Sequence, residues 1–309
     1  MKTDFQTTII IPSYNSQKTI ARTIESIHSL DDFHMVHEII IVDSSDDPYA
    51  KALLHAMQSN KIKVITSGIK VMPSIQRNIG AEQAKGDLLV FIDSDACAAH
   101  DWLQKIVTAY ADGWKAGGGS YLIPDFQKNN RIALAQYYYE FGEFIPYGKS
   151  RIKKILPSCN FFCDRSFFLS IGGFPNIRAS EDSLFCLKAS EYQDLIYIPD
   201  ARVYHIFRED VPDFLSNQFL IGKYIYLYRK KYYNSFFLRK PILYFLAPFM
   251  LAYKFTRRFW LIMKAGPSHY VPFIKSFKYF LKGTLSWFKG FISWRNDQNE
   301  LDNIVLRVN

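Results

Sequence analysis

The stretch Asp87-Leu-Leu-Val-Phe-Ile-Asp93-Ser-Asp95 constrains this chain more than any other. Leu88 to Ile92 form an unbroken apolar run, with the length of a strand buried on both faces of a largely parallel sheet. The run then breaks onto two carboxylates. Side chains at i and i+2 of an extended or turning segment can converge on one side, and two carboxylates held that close favour a compensating cation. Hard oxygen donors suit Mg²⁺ or Mn²⁺, and Mg²⁺ typically takes one or two carboxylates plus substrate phosphates. The carboxyl end of a buried strand is also where open α/β sheets bind ligands. Taken alone, an Asp-x-Asp in an ordinary turn remains the alternative.

The residues before it repeat one pattern. Thr8-Ile-Ile-Ile-Pro12 is a β-branched run, followed by polar Ser13-Tyr14-Asn15-Ser16 and by Ile20, Ile24 and Ile27 at helical spacing. Glu38-Ile-Ile-Ile-Val-Asp43 predicts a second buried strand ending on an acid. That carboxylate either accepts from a base N–H or ribose hydroxyl, or caps a turn or helix. Lys61-Ile-Lys-Val-Ile65 predicts a third strand, and Pro73 opens a helix that Gly86 stops. On that helix Arg77 either contacts a ligand, orders a carboxylate or makes a surface ion pair. Strands alternating with helices predict an α/β fold with a central, mostly parallel sheet.

Charge divides the chain unevenly. The 309 residues carry a net +9, yet no Asp or Glu occurs between Asp213 and Asp297, where 15 of the 38 Lys and Arg lie. The remaining 23 basic residues face all 29 acidic ones, so a slightly acidic domain precedes a strongly basic extension. The four cysteines form no C-x-x-C and have no histidines at zinc-finger spacing, which points to buried reduced thiols in a cytosolic compartment. Met1-Lys-Thr-Asp-Phe-Gln leads straight into the first strand, and no signal peptide is expected.

The acid-free stretch holds 25 of the 51 aromatics. Its longest uncharged run, Pro241 to Tyr253, falls short of the ~20 residues of a spanning helix. From Val271 to Trp294, Lys275, Lys278, Lys282 and Lys289 share one helical face, while Phe273, Phe277, Phe280, Leu281, Phe288 and Phe291 occupy the others. With Trp260, Trp287 and Trp294 nearby, this predicts helices lying in a membrane interface, a soluble helical subdomain being the alternative. Basic plus aromatic residues can also bind nucleic acid, but no recognition module is present and none is expected as a partner. Tyr137-Tyr138-Tyr139, Phe141, Phe144 and Tyr147 would stack on an acceptor, lie against a membrane or fill a core.

Four segments together carry a family resemblance. Ile-Ile-Pro12-Ser-Tyr14-Asn15, Ile-Ile-Val-Asp43-Ser, Arg77-Asn78-x-Gly80-x5-Gly86-Asp87 and Phe-Ile-Asp93-Ser-Asp95 match the family-2 glycosyltransferases in order, spacing and strand context. The resemblance implies a GT-A fold, a nucleotide-sugar donor, a divalent metal (Mn²⁺ or Mg²⁺) and inverting sugar transfer. It makes Pro12, Tyr14, Asn15, Asp43, Arg77 and Asp93 candidate donor-binding residues, Asp43 at the base. Asp93 and Asp95 would bridge metal and diphosphate, and His205, ending the strand that starts at Tyr197, becomes the candidate third ligand, a satisfied structural histidine being the alternative. Ser16 and Ser44-Ser45-Asp46-Asp47 depart from the commonest forms and leave the donor's identity open.

Downstream, Ser158-Cys159-Asn160-Phe-Phe-Cys-Asp164-Arg165 resembles the acceptor-side segment, with Asn160 and Arg165 at its polar positions. Glu181-Asp182 opens a helical run, where two acids can simply complement the helix dipole, and it resembles the family's Glu-Asp motif. Inverting transfer is a single displacement, so one base must take the acceptor proton as attack proceeds. Asp182 fits that role, with Glu181 orienting the acceptor hydroxyl. Lys223 lies where the family places a basic segment near the diphosphate. The expected organisation is a GT-A catalytic domain at 1–215 (nucleotide-sugar half 1–96, acceptor half 97–215) and a helical, membrane-associating extension at 216–309. The expected function is metal-dependent transfer to a glycan or lipid-linked acceptor, on the cytoplasmic face of a cell membrane, in bacterial surface polysaccharide or glycolipid synthesis. A non-catalytic, membrane-associated sugar-nucleotide binder and a nucleotidyltransferase are the alternatives, although Pro12-Ser-Tyr-Asn-Ser lacks the phosphate loop of the latter.

Overall fold

The computed structural model describes residues 5–233 and 240–293; the first four residues and Trp294, both used above, lie outside them. The chain forms two compact units, one of Met1–Tyr121 with Gly148–His205, the other of Leu122–Tyr147 with Ile206–Asn309. The division therefore differs from a cut near 215. Residues 122–147, assigned from sequence to the acceptor half, belong with the C-terminal helices.

In the first unit the apolar runs become β1 (Thr7–Ser13), β2 (Val36–Asp43), β3 (Ile62–Thr66) and β4 (Leu88–Ile92). They pair in parallel in the order β3-β2-β1-β4. Between them run α1 (Ile20–His28), α2 (Pro48–Ala56) and α3 (Pro73–Gln83). Ile20, Ile24 and Ile27 of α1 are buried, as their spacing requires. Asp47 caps α2 by accepting from the backbone N–H groups of Tyr49 and Ala50, with Pro48 at the first helical position. Parallel pairing brings Ser13, Asp43 and Asp93 to one edge of the sheet.

Beyond β4 the sheet turns antiparallel, which corrects the mostly parallel expectation. The further strands are β5 (Ala96–Ala98), β6 (Ala116–Leu122), β7 (Arg151–Ile152), β8 (Asn160–Asp164) and β9 (Ile196–His205). β8 runs against β4 and β6, and β9 against β5 and β7. α4 (Trp102–Ala111) precedes β6. Gly117, Gly118 and Gly119 let other backbones approach β6: a Cβ on Gly119 would stand 1.9 Å from the Ala201 carbonyl oxygen.

The second unit is helical: α5 (Arg131–Glu140), then, after α6 (Arg165–Ser170) and α7 (Glu181–Ala189) of the first unit, α8 (Val211–Tyr233), α9 (Lys240–Ala265) and α10 (Tyr270–Ser293). Tyr137, Tyr138 and Tyr139 of α5 are buried in its core, where Phe273 and Phe280 of α10 meet Tyr138 and Tyr139 edge-on. Glu140 accepts from Gln136, Asn217 and Gln218. The two glycines Gly222 and Gly290 let α8 and α10 touch through their backbones; a Cβ on Gly290 would lie 1.9 Å from the Phe219 carbonyl.

This packing corrects the orientation expected of α10. Its lysines are exposed, but Phe273, Phe280, Trp287 and Phe291 fill the unit's core. Exposed aromatics lie instead on α9, where Phe245, Phe249, Tyr253 and Trp260 project from one side. Among the described residues no helix is long and apolar enough to cross a membrane.

Candidate active site

Three strand ends converge where β4 stops. The antiparallel rung from Ile92 to Asn160 sets Cys159 across from Asp93, and the rung from Ala96 to His205 sets His205 beside Asp95. One donor atom each from Asp93, Cys159 and His205 lie within 4.8 Å of one another. The His205 Nε2 is 3.5 Å from Asp95 Oδ1. Oxygen, sulfur and imidazole donors around one point fit a divalent metal ion. Burial pushes the Cys159 thiol well above its ordinary range, and the charge of Asp93 acts in the same direction. Asp93, Asp95 and His205 were expected here, whereas Cys159 was expected only as a buried reduced thiol. Only strand pairing reveals it.

Arg77 connects this edge to the Glu-Asp pair. Its Nη2 donates to Asp93 Oδ1 at 2.5 Å and its Nη1 to Glu181 Oε1 at 3.4 Å. Its side chain is only 3% exposed. Burial works against the guanidinium's charge, but Asp93 and Glu181 together outweigh it and raise its pKa. Both terminal nitrogens of the fork are engaged, so Arg77, expected to bind the donor, orders the carboxylates of Asp93 and Glu181 in this structure.

Glu181 and Asp182 open α7 (Glu181–Ala189). Ser180 just before them sits in the left-handed region at φ 70°, a strained conformation for a residue with a Cβ. Asp182 Oδ1 accepts from the Ser183 backbone at 2.6 Å and from its hydroxyl at 3.3 Å. Burial, then Asp182's charge, raises the Glu181 carboxyl to about 8, against the pull of Arg77. Burial also raises Asp182. One guanidinium faces three carboxylates, so the Glu181–Asp182 pair retains a proton where ordinary acids have lost theirs.

Asn78, the next residue on α3, holds the approach to α7. Its amide donates to the Phe174 carbonyl at 2.8 Å and accepts from the Phe174 N–H at 2.9 Å. Gly173, at φ 63°, leaves room for it; a Cβ there would stand 2.7 Å from Asn78 Oδ1. No local signal in the sequence marks this contact.

At the other end of the edge, the loops after β1 and β2 are latched together. Asp46 accepts from Tyr14 Oη at 2.8 Å and Asn15 Nδ2 at 2.6 Å, and Asn15 then Tyr14 hold its carboxyl below the usual range. Pro12 follows the last rung shared with β4, where its missing N–H costs no bond on that side. Asp43 is buried and accepts from the Ser45 N–H and hydroxyl. Buried Gln76, which the sequence did not single out, donates to the carbonyls of Ser13 and Val42.

Two acceptor-side expectations are corrected. Asn160 is fully buried: its amide donates to the carbonyls of Ser120 and Ala201 and accepts from Trp102 Nε1. It bridges strands and has no face left for an acceptor. Arg165 begins α6 (Arg165–Ser170), and its backbone N–H bonds the Asp87 carbonyl, at the opposite end of β4 from Asp93. Its side chain donates to the carbonyls of Ala81 and Glu82, closing the end of α3. Antiparallel pairing of β8 separates residues that sequence spacing grouped together. Lys223 lies on α8 in the second unit.

A sheet of this order, with carboxylates at the ends of β2 and β4 and an acidic pair opening α7, is that of a GT-A nucleotide-sugar transferase fold. Residues 8–172, more than half the chain, match the family model described as glycosyl transferase family 2, and the chain belongs to that family. It is 28% identical over 162 residues to UDP-Glc:alpha-D-GlcNAc-diphosphoundecaprenol beta-1,3-glucosyltransferase WfgD of Escherichia coli, covering 52% of this chain and 58% of that one. It is 23% identical over 229 residues to the glucosyl-dolichyl phosphate glucuronosyltransferase of Haloferax volcanii, covering 64% and 68%. The fold is shared with the mannosyltransferase PcManGT of Pyrobaculum calidifontis, solved with GDP-Man and Mn²⁺, at a TM-score of 0.56 and 19% identity over 98% of this chain and 86% of that one. For most of the curated relatives the match spans about half their length or less.

Proposed function

We propose that this protein is a metal-dependent, inverting glycosyltransferase that moves a sugar from a nucleotide-sugar donor to a hydroxyl of a glycan or lipid-linked acceptor. The observation that carries the reading is the half-buried Glu181–Asp182 pair, linked through Arg77 to Asp93 at the end of β4. Asp182 takes the acceptor proton; a carboxylate whose affinity for protons is raised by burial is better matched to that task near neutral pH. Glu181 orients the same hydroxyl. Asp43 receives the donor's base, and the latched loop of Tyr14 and Asn15 walls its pocket. Asp93, Asp95 and His205 hold the divalent cation, which when bound supplies charge stabilisation to the departing diphosphate.

Two relatives bear names that place sugars on lipid diphosphates or phosphates, which supports a lipid-linked acceptor and a role in building a bacterial surface polysaccharide or glycolipid. The aromatic side of α9, in a stretch of the chain without acidic residues, suits the interface of an anionic bilayer, so we place the protein at the cytoplasmic face of the cell membrane.

The test is binding and turnover of UDP-, GDP- and dTDP-sugars with Mn²⁺ or Mg²⁺, in wild type, Asp95→Ala and Asp182→Asn. Metal-dependent binding lost in Asp95→Ala, with binding kept and turnover lost in Asp182→Asn, supports the reading. Failure of well-folded wild type to bind any sugar nucleotide sinks it.

A further inference from the structure

The cation site contains a donor that an Asp-x-Asp motif does not supply. Cys159 sits in the turn leading into β8, across the ladder from Asp93, with its sulfur in the same 4.8 Å cluster as Asp93 and His205. Two donors each about 2.0–2.3 Å from one ion stand roughly 3–4.5 Å apart, so the cluster needs little adjustment to close around an ion. The thiol is buried and donates to Tyr121 Oη at 3.4 Å, a neighbour able to turn its own hydroxyl toward a thiolate. Asp93 already has one oxygen on Arg77, which fixes the carboxylate's orientation and leaves the other for an ion.

We propose that Cys159 is a metal ligand of this site, its thiol proton passing to water on coordination, and that the site therefore selects thiophilic and borderline divalent ions over Mg²⁺. The inference rests on the metal-site reading above and deepens it. A set of carboxylate oxygens alone favours Mg²⁺, Ca²⁺ and Mn²⁺. Adding sulfur and imidazole moves the preference toward Co²⁺ and Zn²⁺, with Mn²⁺ the hardest ion still well held. Cys97, Cys163 and Cys186 do not share the cluster, so one thiol carries the effect.

Co²⁺ is the probe. Titrated into the 309-residue protein without donor or acceptor, it produces visible d–d bands together with near-ultraviolet sulfur-to-cobalt charge transfer. Cys159→Ser and Cys159→Ala lose the charge transfer and bind Co²⁺ and Zn²⁺ at least ~10-fold more weakly, as losing one partner of a metal site does, with Mg²⁺ binding little changed. Cys97→Ser leaves the spectrum intact. Zn²⁺ and Mn²⁺ displace Co²⁺ from wild type at concentrations where Mg²⁺ does not. Visible bands without charge transfer in wild type, or charge transfer that persists in both Cys159 variants, overturn the ligand assignment and leave the metal site standing. No Co²⁺ binding overturns the metal site as well. The wild-type spectrum decides the question even if neither variant folds.

Discussion

Arg77 and Asp93 are joined by a 2.5 Å hydrogen bond between charged groups, with the arginine almost completely buried. Through its other terminal nitrogen the same guanidinium reaches Glu181, so one cation ties the end of β4 to the start of α7. Removing it leaves two half-buried carboxylates without their cation. Breaking a buried pair from one side typically costs about 3–5 kcal/mol. Because both carboxylates reach some solvent, Arg77→Met is expected to destabilise the protein by less than that in denaturant unfolding, though measurably. Arg77→Lys keeps the charge but not the fork, and should recover only part of the loss. Equal stabilities for wild type and Arg77→Met would contradict the arrangement.

The acidic pair makes stability depend on pH with a defined sign. Burial, then Asp182's charge, raises Glu181 from 4.5 to about 8, so the folded state holds a proton that the unfolded state has released. That contribution is complete below about 4.5 and is lost as pH rises through about 8. Wild-type melting temperature should therefore fall across this interval. Glu181→Gln, which cannot ionise, should flatten the fall. A melting profile of Glu181→Gln parallel to wild type would assign the slope elsewhere.

Asn160 and Arg165 separate a core role from an acceptor role. Asn160→Ala orphans the Ser120 and Ala201 carbonyls and the Trp102 indole N–H, each costing about 1–3 kcal/mol when left unpaired. Severe destabilisation is expected. Arg165→Ala exposes two helix-end carbonyls that are close to solvent and should cost about 1 kcal/mol or less, with the KM for acceptor unchanged. An acceptor KM raised many-fold by Arg165→Ala would restore it to the site.

The proposed membrane face is testable without altering the core. Phe249 and Trp260 are 67% and 54% exposed, so Phe249→Ser with Trp260→Ser should leave the melting temperature near wild type. Each large apolar side chain transferred from water is worth roughly 1.5–3 kcal/mol. Cosedimentation with anionic vesicles should therefore weaken at least ~10-fold, and high salt should weaken it further. Unchanged cosedimentation would remove α9 as the contact.

Much of this arrangement is written in local sequence. The unbroken runs Ile39–Val42 and Leu88–Ile92 state that they are buried on both faces, and the acids that follow them mark the ends of strands. The period of Ile20, Ile24 and Ile27 states which side of α1 packs inward. Such patterns record how deeply a residue is buried, and that is all they record. They do not say against what. The aromatics of α10 read equally well as lipid-facing or core-facing, and it took α5 and α8 packed against them to make them core.

What the sequence determined by itself was the order of strands and helices, the acids at the strand ends and the family to which those acids belong. Tertiary structure alone decided which distant residues meet. Antiparallel pairing of β8 with β4 brought Cys159 to Asp93 and carried Arg165 to the far end, although six positions separate the two residues in the chain. Folding of α7 onto α3 gave Arg77 two carboxylate partners, at sequence separations of 16 and 104. The physical reason is that pairing is chosen by the free energy of whole strands and faces, summed over many residues. A single side chain's partner is a consequence of that choice and leaves no mark beside it in the sequence.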